Sequence, residues 1–455
     1  MYEFQDAGVA FLRSHPRCLL GDEAGLGKSR QLLLAAEGET LVVAPAMVLD
    51  GGVWDAEVAR WRPDLPVTTT SYHGLRAMDG RKVTKELKPA YRRHWDTVIF
   101  DEAQMLKGRK TTWTQAAETL CKQADRVFLA SGTPIPNWAH EMFVALKLLH
   151  PGDRRFTSYW RWIQTWFVVG RSRFSDYEVS GDLLECQDRY GLPRADCAAR
   201  PPSDPCEHWL RFHAENFEDL FLQRLRDDVL TDLPAMTRQT VLCPMGAAQK
   251  KAYAQLKRAY MVTVEETGNE HYAWSDAAKY VKLAQCATGL PVLDPAATTG
   301  SGKLDVLAEL LPGRSHPVLL GVFYRDTARA VLRLCAKLGL RAEGLGSSAT
   351  KTQRRAVVGR FQAGELDVLV GSIEVVAEGL TLTRADTTVM VERHPVPSRN
   401  EQFSRRVHRI GQERPVNHIE LVTPGTVDEG LLELLAGKTD NQARALSPAQ
   451  LIGVI

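Results

Sequence analysis

Short apolar runs, each bounded by Gly, Pro or charged residues and followed by a mixed polar stretch, recur in two parts of the chain. In residues 1–150 they fall at Cys18–Gly21, Thr40–Ala44, Val98–Asp101 and Arg126–Ala130. In residues 300–440 they fall at Val318–Phe323, Asp367–Gly371, Thr388–Glu392 and His418–Val422. Short β-branched runs alternating with helical patterns predict strand-then-helix units and hence parallel sheets. Residues 151–299 break the pattern with an aromatic helical run (Phe156–Phe167), a Pro/Cys-rich loop (Gly191–Pro205) and helical periodicities over Glu215–Val229, Ala247–Glu266 and Asp276–Gly289. The expected class is α/β, with a first lobe over 1–150, a helical insertion and linker over 151–299, and a second lobe over 300–455.

Composition narrows this picture only a little. Of 455 residues, 44% are hydrophobic and 25% charged, a globular balance. The net charge of +2 excludes a polycation, so any nucleic-acid contact has to come from a locally basic cleft. No apolar run is long enough to span a bilayer, and the start of the chain, with Glu3 and Asp6, has no apolar signal core. A cytoplasmic setting, in a bacterial or phage-infected cell, is expected. The eight cysteines are scattered. Cys186, Cys197, Cys206 and His208 lie fairly close in sequence but lack the short knuckle of a zinc site, and they read as ordinary thiols.

Two segments carry chemistry. Gly21-Asp22-Glu23-Ala24-Gly25-Leu26-Gly27-Lys28-Ser29 follows an apolar strand and opens a helix over Arg30–Ala36. Small residues let backbone N–H groups approach phosphates, and the helix start adds a positive dipole end. Lys28 is placed to reach the β- and γ-phosphates, and Ser29 to ligate Mg2+. Val98–Gln104 is an apolar strand ending in Asp101 and Glu102, which sets two carboxylates at the sheet edge where open α/β sheets bind ligands. Asp101 suits the Mg2+ shell and Glu102 the attacking water.

With L-A-S-G-T-P-I-P-N at Leu129–Asn137 and Q-F-S-R-R-V-H-R-I-G-Q at Gln402–Gln412, the chain resembles helicase superfamily two, specifically the Swi/Snf-type ATPases. The resemblance runs in order along nearly the whole chain. Asp22, where the generic phosphate loop has Gly, is typical of that family. The resemblance implies two RecA-like lobes, ATP and Mg2+ as cofactors, and a sequence-nonspecific track of double-stranded or branched DNA for a monomeric motor.

It also implies roles residue by residue. Gln5, beside Phe4, corresponds to the glutamine that reads adenine. Gly25 and Gly27 line the phosphate loop, and Gly379, in the segment Gly379–Leu382 followed by Asp386, contacts nucleotide and backbone. Pro45, ending Val42–Ala44 and grouped with Trp54, Ser131, Gly132 and Thr133 (continuing to Pro134), and Gln402 correspond to coupling and DNA-contacting positions. Arg406 and Arg409 match the pair that reaches the γ-phosphate, a role suited to a planar, permanently charged fork. Phe221–Pro234 resembles the segment after the family's first helical protrusion, and Ser301–Leu304 the entry to the second lobe. Gln104 replaces the usual histidine; its amide keeps hydrogen bonding but cannot gain charge near neutral pH.

Two features stand outside these motifs. Arg81–His94 carries six Lys/Arg and one Glu; it could follow a phosphate backbone or be a solvated face. Trp160, Trp162 and Trp166 interleave with arginines, and burial in the insertion accounts for them better than base stacking. Three rival functions share parts of this chemistry: a strand-separating helicase, a nuclease or restriction subunit, and a DNA-binding module switched by ATP. No separate nuclease motif is visible. DNA-stimulated turnover discriminates against the switch.

Overall fold

The computed structural model describes residues 2–452 apart from 51, 81, 136–137, 171–177, 189–193, 199–205, 218, 230–232, 378–379, 381 and 410. The chain divides into two compact units, residues 1–231 with 437–455, and 232–436.

The first unit is built on six parallel strands: β1 (Arg17–Leu20), β2 (Thr40–Ala44), β3 (Val67–Ser71), β4 (Trp95–Asp101), β5 (Ala124–Ala130) and β6 (Phe221–Leu222), in the order β6-β1-β5-β4-β2-β3. Every residue of β2 is buried, as a parallel strand covered on both faces demands. Register sets Leu20 and Asp101 both opposite Ala130. The phosphate loop after β1, the acidic pair ending β4 and Ser131 after β5 therefore emerge along one carboxyl edge, with Pro45 after β2.

The second unit has its own six-stranded parallel sheet: β7 (Met236–Leu242), β8 (Val318–Val322), β9 (Ala342–Leu345), β10 (Val368–Ser372), β11 (Thr387–Met390) and β12 (Val416–Val422), ordered β7-β12-β11-β8-β10-β9. The Lys303 ammonium is wholly buried here, donating to the Val391 carbonyl at 2.7 Å and paired with Asp428 at 2.6 Å. The motif Ser301–Leu304 thus opens a helix (Gly302–Leu310), capped by the Ser301 hydroxyl, and Lys303 is a structural cation of this unit.

The sequence-expected strands form, with ends shifted by a few residues. The segment expected as a helical insertion, 151–299, is divided between the units instead: β6 joins the first sheet and β7 the second. The helix expected over Glu215–Val229 is replaced by the end of one helix (Glu207–Asn216), β6, and a single turn, Arg226–Val229. Backbone pairing of Leu19 and Leu20 with Phe221 and Leu222 overrides the local helical pattern. Likewise the helix Ala247–Arg258 stops short of Glu266, and Met261–Thr263 pairs in a hairpin.

Trp162 and Trp166 are 2% and 6% exposed, packed with Phe167 and Phe212, and the Trp162 indole donates to Asn216 Oδ1 at 2.7 Å. They are core residues, as expected; Trp160, on the same helix, is exposed. In the basic run, Arg92 pairs with Glu86 and Arg93 with Glu39. No helix among the described residues is long and apolar enough to cross a membrane.

Candidate active site

The phosphate loop turns on two left-handed glycines, Gly25 (φ 93°) and Gly27 (φ 77°), the second immediately before the helix α1 (Lys28–Ala35). A side chain at Gly27 would be strained and would strike the Gln5 amide, its Cβ 2.5 Å from Nε2. The Lys28 ammonium lies over the loop, donating to the carbonyls of Asp22 (2.7 Å) and Glu23 (3.3 Å). Ser29 follows on the first turn of α1, partly exposed. Gln5, 4% exposed, donates to the Leu26 carbonyl at 3.1 Å and accepts from Arg30 at 3.1 Å. Its amide is thus oriented against the loop on both sides.

Asp22 does not face phosphate. Its carboxylate is fully buried and accepts from Gln31 (3.0 Å) and from the Arg224 guanidinium (2.9 and 2.5 Å), while Arg224 also donates to Gln31 Oε1 (2.7 Å) and the Phe4 carbonyl. The chain beyond β6 runs beside the loop: Gly21 N–H donates to Leu222 O (2.7 Å), Glu23 N–H to Arg224 O (3.0 Å) and Arg226 N–H to the Glu23 carboxylate (2.8 Å). A distant strand extension therefore props the Lys28 loop, and Asp22 is its anchor. Arg224→Ala strands that carboxylate in the core, and losing one partner of a buried pair costs about 3–5 kcal/mol. The expected result is a lowered urea midpoint in tryptophan emission, which reports the first unit because only Trp274 lies outside it. An unchanged midpoint would sink the anchor role.

On the acidic side, the Trp54 indole donates to Asp101 Oδ2 at 3.0 Å, the Tyr72 hydroxyl to the Asp101 carbonyl at 2.7 Å, and the Glu102 N–H to Asp101 Oδ1 at 3.0 Å. Trp54, 1% exposed, is thereby an organiser of the acidic motif, not a surface against DNA as its grouping with Pro45 implied. Burial, then the adjacent Glu102 charge, push the Asp101 carboxyl up to about 6, against the Trp54 hydrogen bond and the Lys28 charge. A half-buried oxygen donor so destabilised in its charged form fits a divalent cation, whose charge offsets that penalty.

Glu102 is the one non-glycine with positive φ (53°) among the described residues. Such backbone strain costs of order 1–3 kcal/mol and clusters at functional sites. Its carboxylate accepts from the Gln104 amide, Gln104 Oε1 accepts from the Ser131 hydroxyl at 2.6 Å, and Ser131 Oγ accepts from the Thr133 N–H at 3.0 Å. A continuous hydrogen-bond chain thus links the acidic pair to the Ser-Gly-Thr segment. Gly132 closes it onto the loop: a Cβ there would sit 3.2 Å from Ala24 N and 3.3 Å from Lys28 Nζ.

In the second unit, the three arginines differ. Arg405 pairs with Glu401 at 2.6 Å. Arg406 is 3% exposed, donating to the carbonyls of Ala377 and, at 3.4 Å, Leu380. Arg409 is partly exposed. They do not make a solvated basic face. Pro45 and Gln402 are buried, so their side chains offer no outward surface. Gly379 and Thr381 lie outside the described residues.

Two family models match the chain. One described as the SNF2-related domain covers residues 4–286, and the helicase conserved C-terminal domain covers 302–411. The chain belongs to the SNF2-related family. Among curated SNF2-related proteins, it is 26% identical to the DNA annealing helicase and endonuclease ZRANB3 of Bos taurus, over 93% of this chain and 38% of that protein. It is also 26% identical to a SWI/SNF-related matrix-associated actin-dependent regulator of chromatin subfamily A-like protein 1 homolog of Caenorhabditis elegans, over 97% of this chain and 61% of that one. The chain thus spans 38% of the one and 61% of the other, under two thirds of each. A Sulfolobus solfataricus SWI2/SNF2 ATPase core solved with dsDNA matches across the whole chain and 94% of its own, at 20% identity and a TM-score of 0.40.

Sequence reasoning missed Trp54 and Tyr72 as supports of Asp101, and Arg224 and Gln31 as partners of Asp22. Only the polar pair Gln223 and Arg224, set between apolar Phe221–Leu222 and Leu225, hinted at a buried partner.

Proposed function

We propose that this SNF2-related chain is an ATP-hydrolysing motor that moves along double-stranded or branched DNA without reading its sequence. The reading rests above all on one observation: the Lys28 loop and the Asp101–Glu102 pair share a sheet edge, and hydrogen bonds through Gln104 join that pair to the Ser131–Thr133 segment. Lys28 and the N–H groups around Gly25 and Gly27 hold the phosphates, and Gln5 carries the role of reading adenine, for which its amide has to exchange its contacts with Leu26 and Arg30. Ser29 and Asp101 supply the oxygen donors for the Mg2+ of magnesium-ATP, which neutralises charge on the transferring phosphoryl group. Glu102 orients the water that attacks the γ-phosphorus. The bond to ADP breaks as the bond to water forms, and a water proton passes to the carboxylate. Arg406 and Arg409 carry the role of steadying negative charge on the phosphoryl group. The relay through Gln104 passes the state of the Glu102 carboxylate to Ser131 and Thr133, and so to the segment that couples hydrolysis to the track.

The test compares ATPase rates with no DNA, single-stranded, duplex and branched DNA, with Lys28→Ala as the background. Duplex or branched DNA stimulates most, and stimulation falls steeply with salt because backbone contacts release counterions. Equal stimulation by single strands, with displacement of a complementary strand, replaces the reading with a strand-separating helicase. Unstimulated turnover rejects it.

A further inference from the structure

Three cysteines and one histidine, read from sequence as ordinary thiols because their spacing has no knuckle, converge in the first unit. Cys186 ends the turn Leu184–Cys186, Cys197 lies on the single helical turn Ala195–Ala198, and Cys206 is the residue before the helix Glu207–Asn216, with His208 in its first turn. Their Sγ atoms and a histidine ring nitrogen all lie within 4.8 Å of one another. Cys186 Sγ is 3.5 Å from Cys206 Sγ, and His208 Nδ1 is 3.3 Å from Cys197 Sγ and 3.6 Å from Cys206 Sγ.

Those separations are the edges of a coordination tetrahedron. With Zn–S near 2.3 Å and Zn–N near 2.0–2.1 Å, a regular tetrahedron has sulfur–sulfur edges of about 3.8 Å and sulfur–nitrogen edges of about 3.5 Å. Van der Waals packing of unrelated thiols gives no reason for four donors to meet at one point. Cys197 and Cys206 are 4% and 6% exposed, and Cys186 and His208 are half-buried, so protein encloses most of the cluster.

We propose that Cys186, Cys197, Cys206 and His208 bind one structural zinc ion. Three thiolates and an imidazole select a borderline-soft cation over Mg2+ or Ca2+, which take oxygen. Four protein ligands fill the tetrahedron and leave no position for a substrate, so the ion's work is mechanical. The sequence shows what needs holding: between Cys186 and Cys206 come Pro193, Pro201, Pro202 and Pro205 among charged and small residues, with Leu192 and Tyr190 as the only large apolar side chains. The helix carrying Cys206 and His208 is already seated by Trp209 and Phe212, which are 3% and 0% exposed. The ion fastens the loop to that seated helix. The knuckle rule missed the site because Cys186, Cys197 and Cys206 come from three successive elements nine to eleven residues apart, not from one tight knuckle.

The experiment measures metal in the untagged full-length chain, purified without chelator, and reconstitutes it with cobalt(II). About one zinc per chain is expected, with cobalt giving the intense visible bands of a tetrahedral thiolate site. Cys197→Ser and His208→Ala lose the metal, Cys335→Ser in the second unit keeps it, and chelation opens residues 187–205 to protease. If the variants misfold, the zinc content and cobalt spectrum of the unaltered chain decide alone. Less than about a tenth of a zinc per chain, or a Cys186–Cys206 disulfide in the mass spectrum, overturns the proposal. Neither outcome bears on ATP hydrolysis.

Discussion

Glu102→Gln leaves ATP bound and turnover close to background. Phosphate binding rests on Lys28 and the glycine loop, which the substitution does not touch. What it removes is the carboxylate that takes a proton from the attacking water, and a positioned base is worth about 10²–10⁴ in rate. A fall of at least about 100-fold in phosphate release is therefore expected, with the affinity for a fluorescent ATP analogue little changed. The size and hydrogen bonding of the side chain are kept, so the strained backbone at φ 53° has no new reason to relax. A second readout separates chemistry from damage. Glu102 is one of the charges holding the Asp101 carboxyl up at about 6, so the neutral amide lets Asp101 ionise at lower pH. Magnesium-dependent nucleotide binding in the variant then survives to more acid pH than in the parent. Weakened ATP binding with normal turnover of what binds contradicts the assigned role.

Arg406→Ala and Arg409→Ala both lower turnover by at least about 100-fold, below the 10³–10⁵ typical of an arginine acting on a transferring phosphoryl group. ATP affinity changes by less than about tenfold, or 1.4 kcal/mol. Their surroundings separate them in a second measurement. Arg406 holds the carbonyls of Ala377 and Leu380 from a buried position, and a buried acceptor left unpaired costs about 1–3 kcal/mol. Arg406→Ala therefore also lowers the unfolding midpoint of the second unit, and by more than loss of the less buried Arg409 does. Arg409→Lys recovers little turnover, because an ammonium keeps the charge without the planar fork. Near-normal DNA-stimulated turnover in both alanine variants removes these residues from the chemistry.

What the sequence disclosed and what it hid follow one division. The central strands were legible because a strand buried on both faces is an unbroken apolar run, as in Thr40–Ala44 and Val318–Val322. Strands with exposed or polar residues were not: Val67–Ser71 is mostly threonine and serine, and Met236–Leu242 has no fully buried residue. The glycine loop and the paired acids were legible because their chemistry is local. Asp22 was legible only as a departure from a pattern, since its partner lies 202 residues on. Trp54 misled for the same reason, its indole being committed to Asp101 across the sheet edge. The division of residues 151–299 escaped notice because β6 is two residues long and is made by its pairing with β1.

The Asp22–Arg224 pair sets a minimum length for any separately expressed nucleotide-binding half. A fragment cut at residue 150, where the strand-and-helix pattern first lapses, keeps Lys28, Ser29, Asp101 and Glu102 yet discards β6 and Arg224. Its sheet ends on a bare β1 edge with an aspartate buried beneath it, a surface that invites strand pairing between copies. Carried on to residue 231, the same half retains both the edge strand and the counter-charge, so the place to divide this protein lies some eighty residues beyond residue 150.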